Sequence, residues 1–298
     1  MRNAFIDELI AQAEQHEDIV LVVGDLGYGV VEPFAKRFPE RFFNAGVAEQ
    51  NMTGLAAGLA SEGYHVFTYS IANFPTFRCA EQIRNDIDYH GLPVTVVAVG
   101  GGLAYGNLGY SHHAVQDYGL MRMFPNMLIA APGDPMEVRA CVRYLCANPG
   151  PSYLRLGKAG EPSFHDGVPE IAPGKWLTVK SGNAAHKTLL STGAALEFAM
   201  SLATDSSYVD YAVHSLPLWG MGQKATQEGQ VEAWQAVVTL EDHLEDAGFG
   251  SWLREAVTAN PQLMLNIKTW ALNSSVCGKV AKQATLNALG GLTPGAAT

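Results

Sequence analysis

A few side chains in this sequence are placed where they could do chemistry. Glu49 is the one charged residue between Asn44 and Ala60, a stretch otherwise made of small, amide and apolar residues. Set at the mouth of a helix, it is expected to be buried. Burial favours the neutral acid and the positive helix end favours the carboxylate, which suits a group that shares a proton. An ordinary acidic residue in a first helical turn has the same appearance. His112 and His113 close a loop, residues 100–113, that contains five glycines. Imidazole changes charge near neutral pH and can move protons. Adjacent histidines without further ligands make a poor metal pair, and no H-E-x-x-H or Cys/His set accompanies them. Phe74 and Phe77 read by themselves as core aromatics. Arg155 and Lys158 read by themselves as a surface charge pair after an edge strand. Arg78 and Arg84 read as a solvated helix face paired with Glu81 and stay outside the candidate site.

The elements that must position these groups alternate. Apolar runs at 19–23, 64–69, 94–99 and 127–130 read as strands separated by helix-length segments, the rhythm of a parallel sheet covered on both faces. Residues 157–185, rich in proline and glycine, read as a linker. A second alternation follows, with strands at 188–191, 208–213, 237–240 and 263–267, a helix at 194–203 and another from about 251. The fold class is therefore α/β, two successive domains at 1–173 and 187–298, each a mostly parallel sheet flanked by helices. The tail beyond Gly290 reads as frayed. Gly54 and Gly58 lie four apart on one helix face, where they cost stability unless something approaches closely.

At 298 residues the chain can bury a large core, and 48% hydrophobic against 16% charged residues suits a globular protein with extensive buried or interfacial surface. A formal net charge of -10 argues against nucleic acid or an anionic membrane as partner. No run is long enough to span a membrane, and the first residues do not look like a signal peptide. Cys79, Cys141, Cys146 and Cys277 have no C-x-x-C spacing and read as reduced thiols of a cytoplasmic protein. The glycine-rich loop lacks both G-x-G-x-x-G before a suitable helix and G-x-x-x-x-G-K-[ST], so a nucleotide cradle is not expected.

The phrase Asn44-Ala45-Gly46-Val47-Ala48-Glu49-Gln50 resembles the pyrimidine-domain motif of thiamine diphosphate enzymes of the transketolase and deoxyxylulose-phosphate synthase group. Ser111-His112-His113-Ala114-Val115-Gln116-Asp117, continuing to Arg122, Pro125, Asn126 and Met127, resembles the same group's T-H-Q-x-x-E-D-x-x-x-x-R-x-x-P-N-M block. Residues 240–250 resemble the turn of its third domain, where Glu241, Asp242 and His243 are expected to be structural. The resemblance spans nearly the whole chain. It implies that Glu49 shares a proton with the aminopyrimidine of thiamine diphosphate, that Phe74, with Phe77 as second choice, stacks on that ring, and that His112 touches substrate oxygens. It places His113, Arg155 and Lys158 at the substrate, the latter two at its phosphate.

Two departures qualify these expectations. His113 stands where the family has glutamine, and Leu108 where it has an aspartate that engages a substrate hydroxyl. The family's G-D-G and Asn-Asn elements, which hold the diphosphate and Mg²⁺, have no counterpart, since Gly24-Asp25-Leu26-Gly27 lies too early. The resemblance thus implies a transferase subunit of a split, two-chain transketolase that moves a two-carbon ketol unit between sugars or sugar phosphates. A separate N-terminal diphosphate-binding subunit would complete it, as a heterotetramer of two such two-chain units, and would hold the Mg²⁺; no metal site is expected in this chain. A 2-oxoacid dehydrogenase beta subunit and a non-catalytic scaffold of the same fold are the alternatives.

Overall fold

The computed structural model describes residues 1–183 and 186–293. Among these, strands β1 (Ile19–Val23), β2 (Phe42–Asn44), β3 (His65–Ile71), β4 (Val94–Val99), β5 (Leu128–Ala130), β6 (Ser152–Leu156), β7 (Leu177–Lys180), β8 (Lys187–Ser191), β9 (Ala212–Ser215), β10 (Leu218–Gly220), β11 (Ala236–Leu244) and β12 (Ile267–Leu272) form two sheets. The first has the order β10-β5-β6-β4-β3-β1-β2 and is parallel except at its β10–β5 edge. The second has the order β12-β11-β8-β9-β7 and is parallel except at its β7–β9 edge. The β-branched runs of β1 and β4 are buried along their whole length, as strands covered by helices on both faces must be.

Two expectations change. The segment read as a linker contains β7, whose alternating Leu177-Thr178-Val179-Lys180 pairs antiparallel with β9. The strand expected at 263–267 is instead a helix, Pro261–Leu265, because Pro261 occupies its first position and presets the backbone for a helix; β12 follows. The two sheets lie on either side of residues 173–176 save for one strand. β10 crosses from the second half to complete the first sheet, bringing Trp219 between Tyr118 (ring centroids 5.2 Å apart) and Trp252 (5.1 Å). One apolar core accordingly runs from Val96 and Tyr118 through Trp219 to Val237 and Ile267. Beyond Gly290, Leu292 is still buried, and residues 294–298 lie outside the described residues.

β1 pairs with β2 on one side and β3 on the other, so the loops leaving β1 and β3 diverge at the carboxyl end of the sheet. That is where open α/β sheets present ligands. Glu49 follows β2, Phe74 and Arg78 follow β3, the 100–113 loop follows β4, and Lys158 follows β6. The topology delivers all of them to one rim.

Candidate active site

Glu49 is the first residue of the helix Glu49–Ser61, which packs against β3. It is buried at 3% exposure, with Gly24 at the end of β1 lying close beside its side chain. Its Oε2 accepts a hydrogen bond from Arg78 Nη1 at 2.9 Å. Its Oε1 is also buried and has no partner among the described residues. An orphaned carboxylate oxygen is costly, and its persistence marks a place where a donor belongs.

Phe74 lies on the short helix Asn73–Phe77 that follows β3. Its ring centroid is 5.0 Å from that of His112, at an interplanar angle of 66°. Asn73 Nδ2 donates to the Ser111 carbonyl at 2.9 Å, fastening this helix to the glycine-rich loop. Ser111 Oγ is hydrogen-bonded to His112 Nδ1 at 3.0 Å, leaving Nε2 as the nitrogen available to an incoming group. Partial burial, with the nearby His113 and Arg78 adding to it, lowers the His112 pKa and favours neutral imidazole. Phe77 stands outward from this cluster, 44% exposed.

Arg78, placed outside the site on sequence grounds, belongs to it. Its guanidinium lies 4.2 Å from the centroid of the Phe74 ring while it holds Glu49, and Gln50 Nε2 donates to its carbonyl at 2.8 Å. The spacing of Phe74 and Arg78, four apart, was the available signal.

Two expectations are corrected. His113 is buried, and its Nε2–H donates to the Gly106 carbonyl at 3.2 Å, so it braces the loop, while its Nδ1 has no partner among the described residues. Arg155 is not an open phosphate ligand. It is 2% exposed, with Nε on Asp117 (2.7 Å), Nη1 on Asp242 (2.5 Å) and the Tyr118 hydroxyl, and Nη2 on the Ala114 carbonyl (2.9 Å). The two flanking carboxylates hold it there, and Gly101, where a side chain would strike the guanidinium, leaves it room. The two acids that follow Leu240 are structural: Asp242 joins this pair, and Glu241 accepts from the Phe249 and Gly250 amides at the start of the helix Phe249–Ala256. His243 is buried as well, its Nδ1 directed to the Leu244 carbonyl at 2.7 Å.

Lys158 stays exposed, its Nζ 5.1 Å from the centroid of the Tyr105 ring, and that ring lies 6.4 Å from His112. Tyr105, which the sequence reading passed over, packs directly over the backbone of Gly100, where no side chain could fit. Leu108, half exposed, stands at the end of the turn Gly106–Leu108. Among the described residues no group of three or more His, Cys, Asp or Glu side chains could hold a metal ion, and no helix is long and apolar enough to cross a membrane.

Residues 1–160 match the family model for the transketolase pyrimidine binding domain. The chain belongs to the transketolase family. It is 32% identical over 268 residues to the putative transketolase C-terminal section of Methanocaldococcus jannaschii, an alignment covering 87% of this chain and 82% of that one. It is 32% identical to the 1-deoxy-D-xylulose-5-phosphate synthase of Thermus thermophilus, covering 78% of this chain and 36% of that enzyme. A solved structure of a split gene transketolase, an inactive beta4 tetramer, superposes with a TM-score of 0.82 at 30% identity, covering 98% of this chain and 93% of that one. Within the transketolase family, the rim built from Glu49, Phe74 and His112 is this chain's candidate active site.

Proposed function

We propose that this chain is the pyrimidine-side subunit of a two-chain, thiamine diphosphate-dependent transketolase that transfers a two-carbon ketol unit between sugars or sugar phosphates. The observation that carries this reading is the buried, unpartnered Glu49 Oε1, on a carboxylate linked through Arg78 to the Phe74 ring. A flat heterocycle with a protonated ring nitrogen suits both: the nitrogen gives the orphaned oxygen its donor, and the ring lies on the phenyl face. When bound, thiamine diphosphate supplies the nucleophilic carbon that takes up a ketol unit. Glu49 holds a proton at its carboxylate, Phe74 orients the ring, and His112 Nε2 holds or releases a proton at the substrate's oxygens. Leu108 and Lys158 line the route by which sugar reaches His112, Lys158 meeting an anionic end.

A separate polypeptide supplies the diphosphate contacts and the Mg²⁺. Two features favour this: the chain lacks the sequence elements for them, and one relative is itself named a transketolase C-terminal section. The helix carrying Glu49 also leaves Gly54 and Gly58 exposed with nothing within 4 Å of where a Cβ would stand. The close approach that would justify two mid-helix glycines must then come from another chain. The test is to assay ketol transfer by this chain alone and mixed with its cognate diphosphate-binding subunit, with thiamine diphosphate and Mg²⁺. Activity in the mixture alone supports the reading; full turnover by the single chain, or none by the mixture over a panel of ketoses, overturns it.

A further inference from the structure

Arg78 stands on the Phe74 ring, where an aminopyrimidine would stack, and holds the other oxygen of the carboxylate that the ring would meet. Its Nη1 holds Glu49 Oε2 at 2.9 Å, and its Cζ lies 4.2 Å from the Phe74 ring centroid. A guanidinium is planar, so one group that bonds the carboxylate and stacks on the phenyl ring must cover the face of Phe74 turned toward Glu49. That is the face on which a ring sharing a proton with Glu49 would lie.

We propose that Arg78 is a placeholder: in the unloaded subunit it holds the Glu49 carboxylate and covers the Phe74 face, and it swings away when the aminopyrimidine ring enters. This rests on the proposed function above. It gives a role to an arginine that sequence reasoning assigned to a solvated face.

The local construction suits such a movement. The Arg78 side chain is 50% exposed while Glu49 is 2% exposed, so the arginine can leave toward water without opening the core. Its backbone is pinned by the Gln50 amide on the Glu49 helix, so only the side chain has to move. Without the arginine, the buried carboxylate of an empty subunit would face the open rim with neither oxygen paired, a costly state. Arg78 therefore keeps the empty site formed and competes with the ligand that fills it. Its departure also removes a positive charge from the surroundings of His112, whose pKa it helps to lower.

The competition is measurable in the two-chain assembly with Mg²⁺ present, by titration calorimetry of thiamine diphosphate into wild type, Arg78→Gln and Arg78→Lys. Losing one half-exposed ion pair and one cation–π contact from the unloaded state should tighten binding about tenfold in Arg78→Gln. Arg78→Lys, a point charge unable to lie flat on the ring, should fall between. Inorganic pyrophosphate, which has no ring to place on Phe74, should bind all three equally. Unchanged or weaker thiamine diphosphate binding in Arg78→Gln, or an equal gain for pyrophosphate, would overturn the placeholder role. Failure of the wild-type assembly to bind thiamine diphosphate would instead sink the functional reading beneath it.

Discussion

Arg155 on β6 and Asp242 on β11 form a buried ion pair, Nη1 to Oδ1 at 2.5 Å, that ties the first sheet to the second. Asp117 accepts from the same guanidinium, and Gly102 leaves the space that the Asp242 carboxylate fills. The three charges sit with Tyr118 in the core shared by both halves. Arg155→Met should therefore lower unfolding stability by about 3–5 kcal/mol, since it strands two carboxylates without their cation. Urea denaturation followed by tryptophan fluorescence would measure this. A variant that keeps its stability but loses affinity for phosphorylated substrate would restore Arg155 to the substrate site.

The parallel sheets were legible because β-branched runs such as Val94–Val99 have one stable setting, between covering helices. The rim was legible too, since it follows from which loops leave carboxyl ends. What stayed hidden depends on partners remote in sequence. Arg155 meets Asp117 and Asp242 across 38 and 87 residues, and Arg78 meets Glu49 across 29. Each arginine looks alike in sequence, as a cation near an element end, and only packing makes one a core weld and the other part of the site. β10 was unreadable for a similar reason: three residues become a strand only by pairing with β5.

Leu108 should set donor selectivity. The family resemblance sets it where an aspartate that engages a substrate hydroxyl is expected, and its side chain can make no hydrogen bond. A site built around such a bond discriminates by orders of magnitude against a substrate lacking the group. Leu108→Asp should shift the ratio of kcat/KM between two donors differing at one hydroxyl. An unchanged ratio in a folded, assembled variant would remove Leu108 from the donor pocket.

Acid should weaken the fold partly through His65. Burial among strands lowers its pKa to about 4, an effect that Asp18 opposes and His16 reinforces, against about 6.5 in the unfolded chain. Between those values the unfolded state binds a proton that the folded state does not, so stability falls as pH drops from about 6.5 to about 4. This single residue accounts for up to about 3 kcal/mol over that window. His65→Leu should show a shallower loss there when unfolding free energy is measured at half-unit pH steps; a slope equal to wild type would mean that His65 is already charged in the folded protein.

The exposed face at Gly54 and Gly58 should be an assembly surface. Leucine in an exposed helix interior is favoured over glycine by up to about 1 kcal/mol, so Gly58→Leu should leave the isolated chain at least as stable as wild type. Against a closely approaching second chain, the same side chain obstructs contact. Analytical ultracentrifugation of the mixture with the diphosphate-binding subunit should then show assembly weakened by at least about tenfold, more than 1 kcal/mol. Unimpaired assembly would place the subunit contact elsewhere.

Glu49→Gln tests the centre of the site. The amide nearly keeps the shape of the acid, and the one charged partner it abandons, Arg78, is half exposed and can be hydrated. The cost to folding should therefore stay within about 1 kcal/mol, and assembly should be unaffected. Proton exchange with a bound ring, the role proposed for this carboxylate, is another matter, because an amide oxygen cannot take up and return a proton as a carboxylate does. Turnover of the two-chain complex should fall at least about a hundredfold, the scale for losing a positioned proton-transfer group. Hydrogen–deuterium exchange at the cofactor's thiazolium carbon should slow in parallel, which separates a lost proton relay from a lost substrate contact. If exchange and turnover both hold near wild type in the assembled variant, Glu49 serves only to begin its helix.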